Sequence, residues 1–213
     1  MRPAGAPDER EARAAGMAEV VLFHHAQGLT PGVVAFADGL RAAGHTVHTP
    51  DLFEGRLFGS LEEGGAYVES IGFGEITERG VRAAGQLPGD VFYAGFSLGV
   101  LPAQKLAQTR PDARGAFLVD ACISVTEFGT AWPQGVPVQV HGLEADPFFA
   151  EDRDAADRLV AESADAELFL YPGDRHLFAD SSLPAHDPEA AALLNERALA
   201  FLAAHGESGL RSR

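Results

Sequence analysis

Cysteine is nearly absent from this chain of 213 residues, where Cys122 stands alone. No intrachain disulfide can form, and no cysteine-based zinc or iron–sulfur site can be assembled. Lysine is equally scarce: Lys105 is the only one, and every other base is arginine. Acids outnumber bases 31 to 16, for a formal net charge of −15. Such a surface repels phosphate backbones and anionic lipid, which argues against nucleic-acid and membrane-surface partners. Long apolar runs are missing as well. No window approaches the roughly eighteen apolar residues that a spanning helix needs, so no transmembrane segment is expected. The opening residues, MRPAGAPDERE, carry acids and no apolar stretch, and do not read as a signal peptide. These absences point to a cytoplasmic protein.

What is present is an ordinary globular composition, 46% hydrophobic and 22% charged, with chain enough for one core. Residues 1–16 and 207–213 read as loose tails around one domain at 17–206. Strands are expected at Glu19–Phe23 and Thr46–His48, and at 91–94, 116–119, 136–140 and 167–170. Several are continuous apolar runs, as strands buried on both faces should be. Helices are expected at 31–43, opened by Thr30 and Pro31, and at 76–84, 98–108, 152–163 and 188–204. This alternation predicts an α/β fold: an open, mostly parallel sheet of about six to seven strands with helices on both faces. The glycine-rich segment 51–75 fits only as a long loop or a loop holding a short helix.

The strongest motif is Gly95-Phe96-Ser97-Leu98-Gly99. An apolar strand leads into it and a helical stretch follows, which is the context of a nucleophile elbow. The turn exposes a serine hydroxyl at the amino end of a helix, where partial positive charge favours a developing oxyanion. Pro102 lies early in that helix and is expected to bend its first turn. Such a serine needs a base, and the base needs an acid. His176 lies in YPGDRHLF, after the last strand and before the last helix, where it can reach over the sheet toward Ser97. Asp146 lies in HGLEADPFF after the preceding strand, with Glu144 two residues earlier. Asp120, at the end of the strand before that, is the rival acid. His24, His25, His141 and Asp146 all fall at strand ends, but no ligand-spacing motif joins them, so no metal is expected. No phosphate loop or dinucleotide fingerprint occurs, and no cofactor is implied. Cys122, just past a strand end, reads as a buried small apolar residue.

The elbow and these two loops resemble the dienelactone hydrolase family of the α/β-hydrolase fold. The spacings resemble it too, with 49 positions from Ser97 to Asp146 and 30 from there to His176. The resemblance implies Ser97 as nucleophile, Asp146 as acid and His176 as base, with the backbone N–H groups of Ala26 and Leu98 as oxyanion hole. It also makes His25 and Phe96 candidate substrate-pocket residues. Three departures stand out. A serine replaces the cysteine of dienelactone-cleaving members, His25 stands at the place of their activating glutamate, and Leu177-Phe178-Ala179-Asp180 lacks the arginine that grips a substrate carboxylate.

The expected function is therefore a serine hydrolase acting through an acyl-enzyme on a small carboxylic ester or lactone, neutral rather than anionic. Asp180 would add repulsion if it faced the pocket, while Arg56, Arg79, Arg82 or Arg175 could supply another grip. A monomer or small homo-oligomer is expected. A non-catalytic small-molecule binder, or an acyltransferase or peptidase on the same residues, is the alternative, because fold does not fix function.

Overall fold

A computed structural model describes residues 17–87 and 89–206, so the two expected tails lie outside the described residues. Six strands form one sheet: β1 (Glu19–Phe23), β2 (Thr46–His48), β3 (Phe92–Phe96), β4 (Gly115–Val119), β5 (Val138–Leu143) and β6 (Ala166–Tyr171). Every pair is parallel and the order is β2-β1-β3-β4-β5-β6. The strands β3, β4 and β5 are buried throughout, as the centre of a sheet covered on both faces requires.

Alternation along the strands divides the core in two. Val20 and Leu22 of β1 face α1 (Pro31–Ala42) and the carboxyl-terminal α6 (Pro188–His205), through Val33, Leu40, Leu194 and Phe201. Val21 and Phe23 face the opposite layer of α2 (Leu61–Ile71), α3 (Phe73–Ala84), α4 (Val100–Thr109) and α5 (Pro147–Glu162). The fold is thus the expected open parallel α/β sheet. No helix among the described residues is long and apolar enough to cross a membrane.

Most boundaries shift by a few residues from the sequence reading, and four of the shifts have a clear local reason. Strand β3 runs on to Phe96, because Gly95 still pairs with Leu118 and Phe96 with Val119. Strand β5 begins at Val138, after Pro137, which has no N–H for the ladder, and extends to Leu143 against Tyr171. Helix α5 begins at Pro147, since the Asp146 side chain caps it by accepting the Phe148 N–H. The helix expected at 98–108 is a 3-10 turn, Ser97–Gly99, followed by α4. Pro102 then falls in the first turn of α4, where a missing N–H removes no helical bond, and no bend is needed.

Segment 51–75 is a turn followed by a full helix. Asp51 accepts the N–H groups of Phe53 and Gly55, and Ser60 caps α2 by accepting the Glu63 N–H at 3.2 Å. The Glu63 carboxylate accepts the Gly59 N–H in return, a close variant of the reciprocal capping box. Gly72, at φ 90°, separates α2 from α3.

Candidate active site

Ser97 sits between β3 and α4 with φ 48°, a left-handed conformation that non-glycine residues rarely adopt. Its neighbours hold it there. A Cβ on Gly95 would lie 2.3 Å from the Gly99 carbonyl oxygen, and one on Gly99 would lie 2.4 Å from that of Phe23. Both glycines are therefore required by backbone contact, and the elbow is wedged between β1 and α4. Ser97 opens the 3-10 turn that leads into α4, so its hydroxyl stands at the positive end of a helical run.

Two further loops converge on this hydroxyl. Nε2 of His176 lies 2.8 Å from Ser97 Oγ, and its Nδ1 lies 2.7 Å from Asp146 Oδ2. An ionised carboxylate only accepts, so Nδ1 carries the proton and Nε2 accepts the Ser97 hydroxyl. Asp146 is buried and fixed by its second oxygen, which accepts the Phe148 N–H at 2.9 Å as the cap of α5. The Phe148 ring lies over the imidazole at 4.7 Å. Burial alone would push the His176 imidazole down. The hydrogen bond that His176 donates to Asp146 and the charges of Asp120, Asp146 and Asp152 outweigh it and hold the ring above its ordinary value.

A second carboxyl stands beside this line. Asp120, just past β4, is buried, and burial together with the Asp146 charge pushes it up to about 7. Asp152 of α5 is raised too, first by burial, while it accepts the Cys122 N–H at 3.1 Å. Cys122 itself is buried beside Asp152, and burial pushes its thiol up to about 12, so it is no nucleophile near neutral pH. Asp120, Asp146 and His176 each bring one ligand atom within 4.8 Å of the others. A cation there would compete with the His176–Asp146 hydrogen bond.

The side chains of His25 and Phe96 are not in the pocket, contrary to expectation. His25 is 1% exposed and Phe96 3%. His25 Nε2 donates to Asp180 Oδ2 at 2.8 Å, and its Nδ1 accepts the Gln27 N–H at 3.2 Å. Phe96 packs edge-on against Phe36 of α1. Asp180 is likewise turned inward, accepting from His25, Thr30 and Ser182. Burial works against its charge, yet those donors hold the carboxyl down at about 2. His24 donates to the His25 carbonyl and accepts the Leu52 N–H, and His141 is hydrogen-bonded to the Tyr171 hydroxyl. These histidines serve the scaffold and do not converge with Asp146. The four arginines offer no grip either. Arg79 and Arg82 pair with Glu75, Arg175 donates to the Pro184 carbonyl, and Arg56 lies over the Tyr67 ring.

Ser97 and His176 open onto a cleft of about 430 Å³ whose walls include Ala26 and Leu98. Leu61 and Val68 of α2, Phe73 at the start of α3, Leu101 and Phe148 make it apolar, and Asp120, Glu151 and Asp152 are its acids. No arginine or lysine is among its lining residues. The α2 and α3 walls escaped the sequence reading. Gly64 and Gly65 weaken the helix signal there, although Ser60 and Glu63 at capping-box spacing mark the start. Gly64 has a packing reason, because a Cβ on it would lie 2.0 Å from the Ala26 carbonyl oxygen. Helix α2 thus braces the β1 loop directly. Gln27 adds to the brace: its side chain donates to the Phe58 carbonyl and its own carbonyl accepts the Phe58 N–H.

No curated protein sequence matches the chain. Solved structures do. A dienelactone hydrolase from Anabaena variabilis is 20% identical, with TM-score 0.66 over 89% of this chain and 88% of that one. A dienelactone hydrolase-like promiscuous phosphotriesterase from metagenomic libraries is 18% identical, with TM-score 0.65 over 88% and 86%. A hyperthermophilic esterase from the archaeon Pyrobaculum calidifontis is 14% identical, with TM-score 0.65 over 90% and 78%. These likenesses establish the α/β-hydrolase fold. The sequence profile of the dienelactone hydrolase family matches residues 10–206, nearly the whole chain. The protein belongs to the dienelactone hydrolase family and is an ester-bond hydrolase.

Proposed function

We propose that the protein is a serine esterase that cleaves small, neutral carboxylic esters or lactones with an apolar acyl group. The observation that carries the reading is the unbroken line Ser97 Oγ–His176 Nε2 at 2.8 Å and His176 Nδ1–Asp146 Oδ2 at 2.7 Å. In this reading Ser97 attacks the substrate carbonyl while His176 Nε2 takes the hydroxyl proton. Asp146 holds the imidazole in the tautomer that accepts at Nε2 and stabilises the imidazolium that forms. The N–H groups of Ala26 and Leu98, rigid and on the cleft wall, receive the tetrahedral oxyanion. His176 then protonates the leaving alcohol, leaving an acyl group on Ser97. Water, deprotonated by the same imidazole, releases the acid.

The cleft supports the substrate class. Its walls are apolar, its charged groups are carboxylates and it lacks a cation, so an anionic lactone meets repulsion where it needs a clamp. A fluorophosphonate probe followed by an ester panel tests this. Labelling at Ser97 with turnover of neutral short-chain esters is expected. A chain that binds such esters without labelling or turnover is the non-catalytic alternative, and acyl transfer to an amine in preference to water is the other.

A further inference from the structure

The triad leaves one carboxyl at the site unexplained. Asp120 follows the last residue of β4 and adopts φ 62°. Of the four non-glycine residues with positive φ among those described, Ser97, Asp120 and Leu177 lie at this one site. Strained backbone of this kind persists where the surrounding structure over-determines it, and it clusters at active sites. The Asp120 N–H donates to the His141 carbonyl at 2.8 Å, which anchors the turn. Its side chain is 1% exposed, and neither carboxyl oxygen has a well-formed hydrogen bond. The Leu177 N–H faces it only weakly. A buried carboxyl without partners is costly and calls for a reason. It also lines the cleft, and one of its oxygens lies within 4.8 Å both of a ring nitrogen of His176 and of an Asp146 oxygen.

We infer that Asp120 is a second positioning carboxyl for His176, held in reserve beside Asp146 and able to take over the imidazole when Asp146 is removed. The inference rests on the reading of His176 as the base of Ser97. The ends of β4 and β5 each deliver one aspartate to the same histidine, and both carboxylates cannot ionise at close quarters without cost. Asp146 accepts two hydrogen bonds, from His176 and from the Phe148 N–H, where Asp120 has none that is well formed. Asp120, raised to about 7 by burial and by Asp146, keeps its proton below that pH. The positive charge that forms on His176 during reaction pulls Asp120 toward ionisation and so recruits it. Asp152, farther along α5, adds the remaining negative charge that His176 feels.

The test is a cycle of kcat measurements with a neutral ester on the wild type, Asp120→Asn, Asp146→Ala and the double variant. Asp146→Ala is chosen because it clears space at Nδ1, whereas an amide would occupy it. Asp120→Asn alone is expected to cost less than about 10-fold, and Asp146→Ala about 10²-fold. The double variant should fall to the loss of about 10⁴ expected when no acid sets the tautomer. Added formate should restore activity to the double variant by more than about 10-fold and barely affect Asp146→Ala, whose site Asp120 already serves; a merely structural Asp120 would show no such contrast. The inference is overturned if Asp120→Asn costs the same factor in both backgrounds, or if formate stimulates Asp146→Ala and the double variant equally. In those cases Asp146→Ala is already at the floor and the triad stands. Wild-type turnover in the double variant would overturn the triad and the reserve acid together. Should Asp120→Asn fail to fold, Asp120→Ser is read in the same way.

Discussion

His25 and Asp180, 155 positions apart in sequence, are hydrogen-bonded to each other at 2.8 Å beneath the active-site loops. Both are nearly inaccessible, and the carboxylate also accepts from Thr30, the cap of α1, and from Ser182 two residues further along its own loop. The pair fastens the loop after β1 to the loop that carries His176. Its role is architectural, and the substrate does not meet it.

Asp180→Ala is therefore expected to lower stability by about 3 kcal/mol, as for breaking one side of a buried pair, while KM for a neutral ester stays within about threefold. Acid should act through the same group. The Asp180 carboxyl is held down at about 2 in the folded protein, below its ordinary value. Its stabilising contribution is complete above about pH 4 and lost as pH falls toward 2. Thermal melting from pH 3 to 7 should show the wild type losing more stability at the acid end than Asp180→Ala. A KM effect in place of the stability loss would return Asp180 to the pocket.

Gly64→Ala should damage turnover rather than the helix. The substitution favours helix by up to about 1 kcal/mol, yet its Cβ would sit 2.0 Å from the Ala26 oxygen. The β1 loop must move, and one oxyanion donor moves with it. A fall in kcat of about 10²-fold is expected, the loss typical of one misplaced donor, together with a lower melting temperature because backbone must give way. Unchanged kcat would mean that Ala26 does not serve the oxyanion.

The pH dependence of kcat/KM should carry an acid limb above 6.5. His176 must be neutral to take the Ser97 proton, and its carboxylate neighbours raise its value despite burial. Activity is then lost as pH falls through that raised value. Asp120, raised to about 7, faces the same imidazole, so the limb belongs to the coupled pair. A limb well below 6.5 would show that burial outweighs the carboxylates.

Substrate charge gives a fourth expectation. With Glu151 and Asp152 on the walls, no arginine or lysine among the lining residues and −15 overall, a dienelactone should be a poorer substrate than a neutral p-nitrophenyl ester of similar size. Its kcat/KM should rise with salt, since screening weakens repulsion. A preference for the dienelactone that fades with salt would reveal a cationic pocket.

Much of this was legible in the chain because it depends on neighbours in sequence. The buried strands announce themselves as apolar runs, and Gly95-Phe96-Ser97-Leu98-Gly99 states the backbone approaches that the elbow needs. The loops of Asp146 and His176 follow strand ends, which a parallel sheet brings to one edge. What escaped depends on distant partners. His25 reads as a pocket residue until Asp180 is seen to bond it. Gly64 reads as a helix breaker until the Ala26 carbonyl fills the space of its missing Cβ. Asp120 and Asp146 both follow strands and looked like rivals, yet topology delivers both to His176.

The most direct test of the account is the steady-state kcat of Ser97→Ala on a neutral short-chain ester. The Ser97 hydroxyl lies 2.8 Å from His176 Nε2, and the only cysteine is buried with its thiol pushed up to about 12. A fall of about 10⁶-fold in an otherwise normally folded protein is expected. Esterase turnover comparable to the wild type would contradict it.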